Sequence, residues 1–117
     1  MSFYGRGKEM KEDLLKIINH YGVMKQLKYF QSEVFELNEA IINAEDYTPN
    51  SNDSFTKMTI NTNNYVEHIA EEIADVFMML KQFQYYYGIG VNDIEKVIDY
   101  KIKRQLERID EEKINNE

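Results

Sequence analysis

The stretch Val66–Leu80, VEHIAEEIADVFMML, carries Glu71, Glu72 and Asp75 inside an apolar helical pattern. A second stretch, Gln26–Ile41, QLKYFQSEVFELNEAI, sets Glu33 and Glu36 in the same kind of surroundings. At about 100° per residue, Glu72 lies roughly 60° from the centre of its apolar stripe and Asp75 about 120° from it, on the same side. Glu33 and Glu36 lie about 80° and about 140° from the centre of theirs. Each helix thus carries a carboxylate pair at spacing i, i+3, at the edge of its core. Packed side by side, the two helices would bring Glu33, Glu36, Glu72 and Asp75 into one cleft. Like charges so placed repel and raise one another's pKa values unless cations sit between them. Hard divalent cations meet that need: Mg²⁺ takes oxygen ligands in octahedral geometry and keeps waters that a phosphate oxygen can displace, with Mn²⁺ as a substitute. Acidic i, i+3 pairs are common on solvated helix faces. The placing of these two, at the margins of the two strongest apolar stripes, is what sets them apart.

Composition limits the alternatives. The 117 residues make one domain with a single modest core. Cysteine is absent, which excludes disulfides, thiolate metal sites and a cysteine nucleophile. A formal charge of -7, from 21 acids against 14 bases, argues against a duplex nucleic-acid binder that neutralises phosphates with its own cations. No run is apolar enough for a signal peptide or a membrane span, so a soluble, cytoplasmic protein without a membrane partner is expected.

The elements that must position the acids are helical, since one proline and five glycines leave few breaks. The periodicity predicts a short leader helix over about 8–20, with Met10, Leu14, Ile17 and Ile18 on one face and Gly22 as its stop. A second helix is expected over about 23–44, with Val23, Leu27, Phe30, Val34, Leu37 and Ile41 as its stripe. Residues 45–64, polar and rich in Asn, Ser and Thr around Pro49, read as a long connection, either a lid or an insertion. A third helix follows over about 65–87, with Ile69, Ile73, Val76, Leu80, Phe83 and Tyr87 inward and Gly88 and Gly90 as its end. Asn92 and Glu95 have capping-box spacing and open a fourth helix over about 92–113. The expected architecture is an all-α bundle of four to five helices, completed by association of copies because so small a chain leaves its stripes wet.

The ExxE of Glu33 to Glu36, the EEIADV that carries ExxD in Glu72 to Asp75, a turn with tyrosine and glycine, and a last helix bearing Lys and Arg together resemble the MazG-like family of all-α nucleoside triphosphate pyrophosphohydrolases. The resemblance covers roughly residues 26–108. It differs from the family pattern at Ser32, where a second acid commonly stands, and in the longer gap between the motifs. It implies hydrolysis of a nucleoside triphosphate between the α and β phosphates, with Mg²⁺ held by Glu33, Glu36, Glu72 and Asp75. It also implies a homodimer or homotetramer. One of the glutamates, or Glu71, would orient or deprotonate the attacking water.

Cations that would hold the triphosphate are Lys101 and Arg104, with Arg108 on the same strip of the last helix and Lys28 as a further candidate; partners for Glu107 or Asp110 are their ordinary alternative. Tyr29, Phe30 and Tyr85 to Tyr87 could face a base, although aromatics at helical spacing usually belong to cores. A di-iron bundle needs Glu-x-x-His, and neither His20 nor His68 has it. His68 reads as a rim residue. Two other functions fit the same acids: a non-catalytic helical interaction module, and a related pyrophosphohydrolase acting on a nucleotide-linked metabolite such as phosphoribosyl-ATP.

Overall fold

The computed structural model describes residues 7–116, which form four helices: α1, Gly7–Tyr21; α2, Val23–Asp46; α3, Phe55–Tyr86; and α4, Val91–Asn115. The architecture is all-α, and no strand occurs among the described residues. No described helix is long and apolar enough to cross a membrane.

The breaks fall where the backbone takes up a conformation suited to glycine. Gly22 has φ 89° between α1 and α2, and Gly88 has φ 66° after α3. At the second break the Gly88 N–H donates to the Tyr85 carbonyl at 3.1 Å and the Ile89 N–H to the Gln84 carbonyl at 3.0 Å. These are the paired bonds of a Schellman stop. The Gln84 amide adds a bond to the Ile89 carbonyl at 3.2 Å, which stiffens the elbow into α4.

Two boundaries differ from expectation. The polar connection expected over 45–64 is short, because α3 begins at Phe55. Ser54 caps α3, its hydroxyl accepting from the Lys57 N–H at 3.1 Å, and Asp53 pairs with Lys57 at 3.1 Å. Threonine and asparagine hide this first stretch because they favour other conformations in isolation. Here the hydroxyls of Thr59 and Thr62 bond back to the carbonyls of Phe55 and Met58. At α4 the cap is Gly90, with no side-chain bond, and Asn92 lies inside the first turn. The Asn92–Glu95 capping box therefore does not form.

Helices α2 and α3 pack as an antiparallel hairpin, with α1 laid against both. Its α1 end is fastened by Gln26 Nε2, which donates to Gln82 Oε1 at 2.8 Å, and by the edge-to-face rings of Phe30 and Phe83, 5.7 Å apart. The loop end is fastened by Tyr47 on Tyr65, 5.1 Å apart, and by Asn61 donating to the Tyr47 hydroxyl at 3.0 Å. Leu14 and Ile18 of α1 are buried, as their spacing predicts.

The face that α2 turns to α3 is not the expected stripe. Gln26, Glu33 and Ala40 are buried, whereas Leu27, Val34 and Ile41, each one residue later, are exposed, Val34 at 41%. On α3 the same shift buries Glu72 and Met79 and exposes Ile73 and Leu80. The apolar face of each helix is wider than one packing row, and Ala40 allows the helices to approach along the earlier row. Glu33 and Glu72 thereby move from the edge of the interface into it, while Glu36 and Asp75 stay exposed.

Helix α4 packs against none of α1 to α3, and none of its residues is buried. It accounts for a Cα radius of gyration of 19.2 Å, against about 13 Å for a compact chain of this size. The packed bundle of one chain is therefore α1 to α3. Ile18, with 0% exposure, sits at its centre, and Ile18→Ala is expected to cost about 2–5 kcal/mol. Urea unfolding should show a lower midpoint at unchanged slope.

Candidate metal centre

Midway along the α2–α3 hairpin, one carboxylate oxygen from each of Glu33, Glu72 and Asp75 lies within 4.8 Å of the others. That span is close to the roughly 4.2 Å between opposite ligands of one Mg²⁺ bound at about 2.1 Å. Glu33 and Glu72 are 6% and 9% exposed, while Asp75 is exposed at the rim. Glu36, one turn after Glu33, is exposed and close enough for its charge to act on both Glu33 and Glu72. Three of the four acids singled out by spacing thus share one cluster, and the fourth, Glu36, adds its charge from the rim.

The electrostatics follow from that crowding. Burial pushes the Glu33 carboxyl above its ordinary range, and the charges of Glu36 and Asp75 push it further, against a hydrogen bond from Tyr29. Burial likewise raises Glu72, with Glu36 and Asp75 adding to it and His68 opposing. The Tyr29 hydroxyl is itself raised, first by the charge of Glu33 and then by donating to it. Oε2 of Glu33 and Oε2 of Glu72 are buried without any hydrogen-bond partner. A buried carboxylate oxygen left in that state is costly unless a proton or a cation meets it. The donor set is oxygen only, which fits Mg²⁺ or Mn²⁺ better than softer metals.

The other sequence candidates lie elsewhere. Glu71 is turned to solvent, with a side chain 77% exposed, 4.0 Å from His68 Nδ1. His68 stands at the rim with Nε2 4.0 Å from Glu72, as expected of a flanking residue. Lys28 is exposed, about 140° around α2 from Glu33. Lys101, Arg104 and Arg108 share one side of α4 around Gln105. Since α4 does not pack on α2 or α3, Lys101 and Arg104 are not brought to the carboxylates within one chain.

Sequence spacing missed two neighbours of the cluster, the Tyr29 hydroxyl on Glu33 and the Gln26–Gln82 pair. A row read as Val23, Gln26, Phe30, Glu33, Leu37 and Ala40 would have found the glutamine. Hydropathy favours the adjacent row because it is richer in aliphatic residues.

Comparisons with known proteins give no match to a family model, a curated protein or a solved structure.

The shifts carry a definite pH sign. A carboxyl whose folded pKa is raised binds its proton more tightly when folded, so stability falls as pH climbs from the ordinary 4.5 through the folded value. In EDTA, the melting temperature of Glu72→Gln should exceed that of the wild type at neutral pH, and the gap should close towards pH 4.5. Mg²⁺ should raise the wild-type melting temperature at neutral pH and leave the variant unmoved. A wild type indifferent to Mg²⁺ and Mn²⁺ at every pH would remove the metal reading.

Proposed function

We propose that the chain is a Mg²⁺-dependent nucleoside triphosphate pyrophosphohydrolase, cleaving the α–β bond to give a monophosphate and pyrophosphate. The observation that carries this reading is the pair of buried, unpartnered carboxylate oxygens on Glu33 and Glu72, two acids that with Asp75 each bring a carboxylate oxygen within 4.8 Å of the others. The ExxE and ExxD spacing of the MazG-like pattern supplies the reaction. A non-catalytic interaction module would account for exposed apolar rows but would leave those two oxygens without a partner.

Glu33, Glu36, Glu72 and Asp75 would hold the metal. Bound there, Mg²⁺ would neutralise charge on the phosphates and activate a water for attack. Glu33 and Glu72 form the dry floor, their orientation fixed by the hairpin packing and by the Tyr29 hydroxyl on Glu33. Glu36 and Asp75, open to solvent, face the side from which a triphosphate arrives. A rim carboxylate, Glu36 or Asp75, would take the proton of the attacking water rather than Glu71, whose side chain is turned to solvent.

Cations for the phosphates would come from a second copy. On α4 the residues Ile98, Ile102, Leu106 and Ile109 form an apolar row, exposed throughout, with Lys101 nearest to one edge of it and Arg108 and then Arg104 further round the helix. The row matches the exposed Leu27, Val34, Ile41, Ile73 and Leu80 on the hairpin in character. A dimer or tetramer that buries these rows would carry Lys101 towards the partner's phosphates, with Arg104 reaching round the helix to join it.

Pyrophosphate release from a panel of ribo- and deoxynucleoside triphosphates with Mg²⁺ tests the reaction. Activity should vanish in EDTA and fall about 100-fold or more in Glu72→Gln. Orthophosphate in place of pyrophosphate would put cleavage at another bond and reject the reading. Sedimentation equilibrium should give a multiple of the 14.0 kDa chain mass, and Leu106→Glu should return it to one chain. Substitution of Lys101 or Arg104 by Ala should raise KM.

A further inference from the structure

Beside the carboxylates, between α1, the start of α2 and the later part of α3, lies a pocket of about 350 Å³. That volume is at the lower end of the range for small-molecule sites. Ile17 and Met79 give it apolar walls, and the rings of Tyr21 and Tyr29 flank it. Met78 and the Lys25 side chain complete the lining with two buried amides, unusual for a protein interior: Gln82, 1% exposed, and Gln26, 7% exposed.

The two amides hold one another. Gln26 Nε2 donates to Gln82 Oε1 at 2.8 Å, which fixes which end of each amide is used. Gln82 Nε2 then finds only the Met79 sulfur, at 3.6 Å, a weak acceptor. Among the described residues nothing donates to Gln26 Oε1. The pair therefore offers one unused acceptor and one poorly used donor at the wall of a pocket. The Gln26 acceptor is not sealed in, since the buried side-chain oxygens without a partner among the described residues are those of Glu33 and Glu72; it opens onto the pocket instead. A flat ligand with a donor beside an acceptor on its edge would satisfy both, with its faces against tyrosine.

The pocket is continuous with the metal centre. Tyr29 lines it and donates its hydroxyl to Glu33, and Met79 lies one turn beyond Asp75. Gln26 precedes Glu33 by two turns of α2, about 10.5 Å along the helix. This is the scale of the reach from a nucleobase across its sugar to the phosphate chain.

We propose that this pocket receives the nucleobase of the substrate and that Gln26 and Gln82 read its hydrogen-bonding edge. The inference rests on the carboxylates being a nucleoside triphosphate site. It assigns base selectivity to a side-chain pair and phosphate chemistry to a separate one, so the two can be perturbed independently.

The test uses calorimetric titration of the 5′-monophosphates of uridine, thymidine, cytidine, adenosine and guanosine into wild type, Gln26→Met and Gln82→Met. Pyrophosphate with Mg²⁺ serves as a probe of the phosphate end alone. The wild type should favour one base over the weakest by about 10-fold or more, and each variant should reduce that ratio to within about 3-fold. Binding of Mg²⁺-pyrophosphate should not change. Variants that keep the wild-type ranking, or a wild type that binds no monophosphate, would overturn the proposal. If Gln82→Met loses its cooperative melt, Gln26→Met decides. Triphosphate hydrolysis with an unaltered base ranking in the variants would reject the pocket and leave the hydrolase. Base-selective binding without pyrophosphate release would do the reverse.

Discussion

Like charges held in a dry seam are the constraint on which the rest of this molecule turns. Glu33 and Glu72 lie in the packed face of the α2–α3 hairpin, with Glu36 and Asp75 pressing on them from the rim. Repulsion and lost hydration both act to pry the helices apart there. The hairpin closes because it is fastened on either side: by Gln26–Gln82 and Phe30–Phe83 near α1, and by Tyr47, Asn61 and Tyr65 near the loop. The buried aliphatic side chains of α1 back the first of these. A strained middle between two firm ends is a shape suited to a cation, since a bound ion converts the repulsion into attraction without moving the backbone.

The chain divides its labour along its length. Helices α1 to α3 build a packed unit in which polar side chains occupy positions that a merely stable hairpin would give to leucine. Two carboxylates and two amides interrupt the seam, about two turns apart on α2 and nearly three on α3. Each pair is internally close, and each retains unsatisfied hydrogen-bonding capacity. Recurrence of the same device at neighbouring positions favours one elongated ligand over two unrelated defects.

Outside the first turns of α3 the helical period was legible, because Gly22 and Gly88 occur where the backbone needs positive φ and the other helical stretches lack breakers. The i, i+3 spacing of the acids was enough to group Glu33, Glu36, Glu72 and Asp75. The depth of the site was not legible. Hydropathy finds the centre of an apolar face, while packing selects a row within it, and the selected rows run through Gln26, Glu33 and Glu72. The start of α3 was hidden for a related reason: its threonines satisfy backbone carbonyls that composition alone would leave to a loop. The separation of α4 was beyond reach because an amphipathic helix has the same sequence pattern whether its own chain or another surface covers it.

That separation has a kinetic side. A helix of 25 residues with no buried side chain stands near the margin of stability in water, since most helical stability comes from packing. In a lone chain α4 would open and reclose far more often than the hairpin, and its amide hydrogens would exchange with solvent on a faster clock. The elbow behind it, locked by the Schellman bonds and by Gln84, belongs to the slower part. The boundary between the fast and slow regions of the molecule therefore falls at Gly88 to Gly90, and a protease would attack the loosely held α4 beyond that turn before the hairpin.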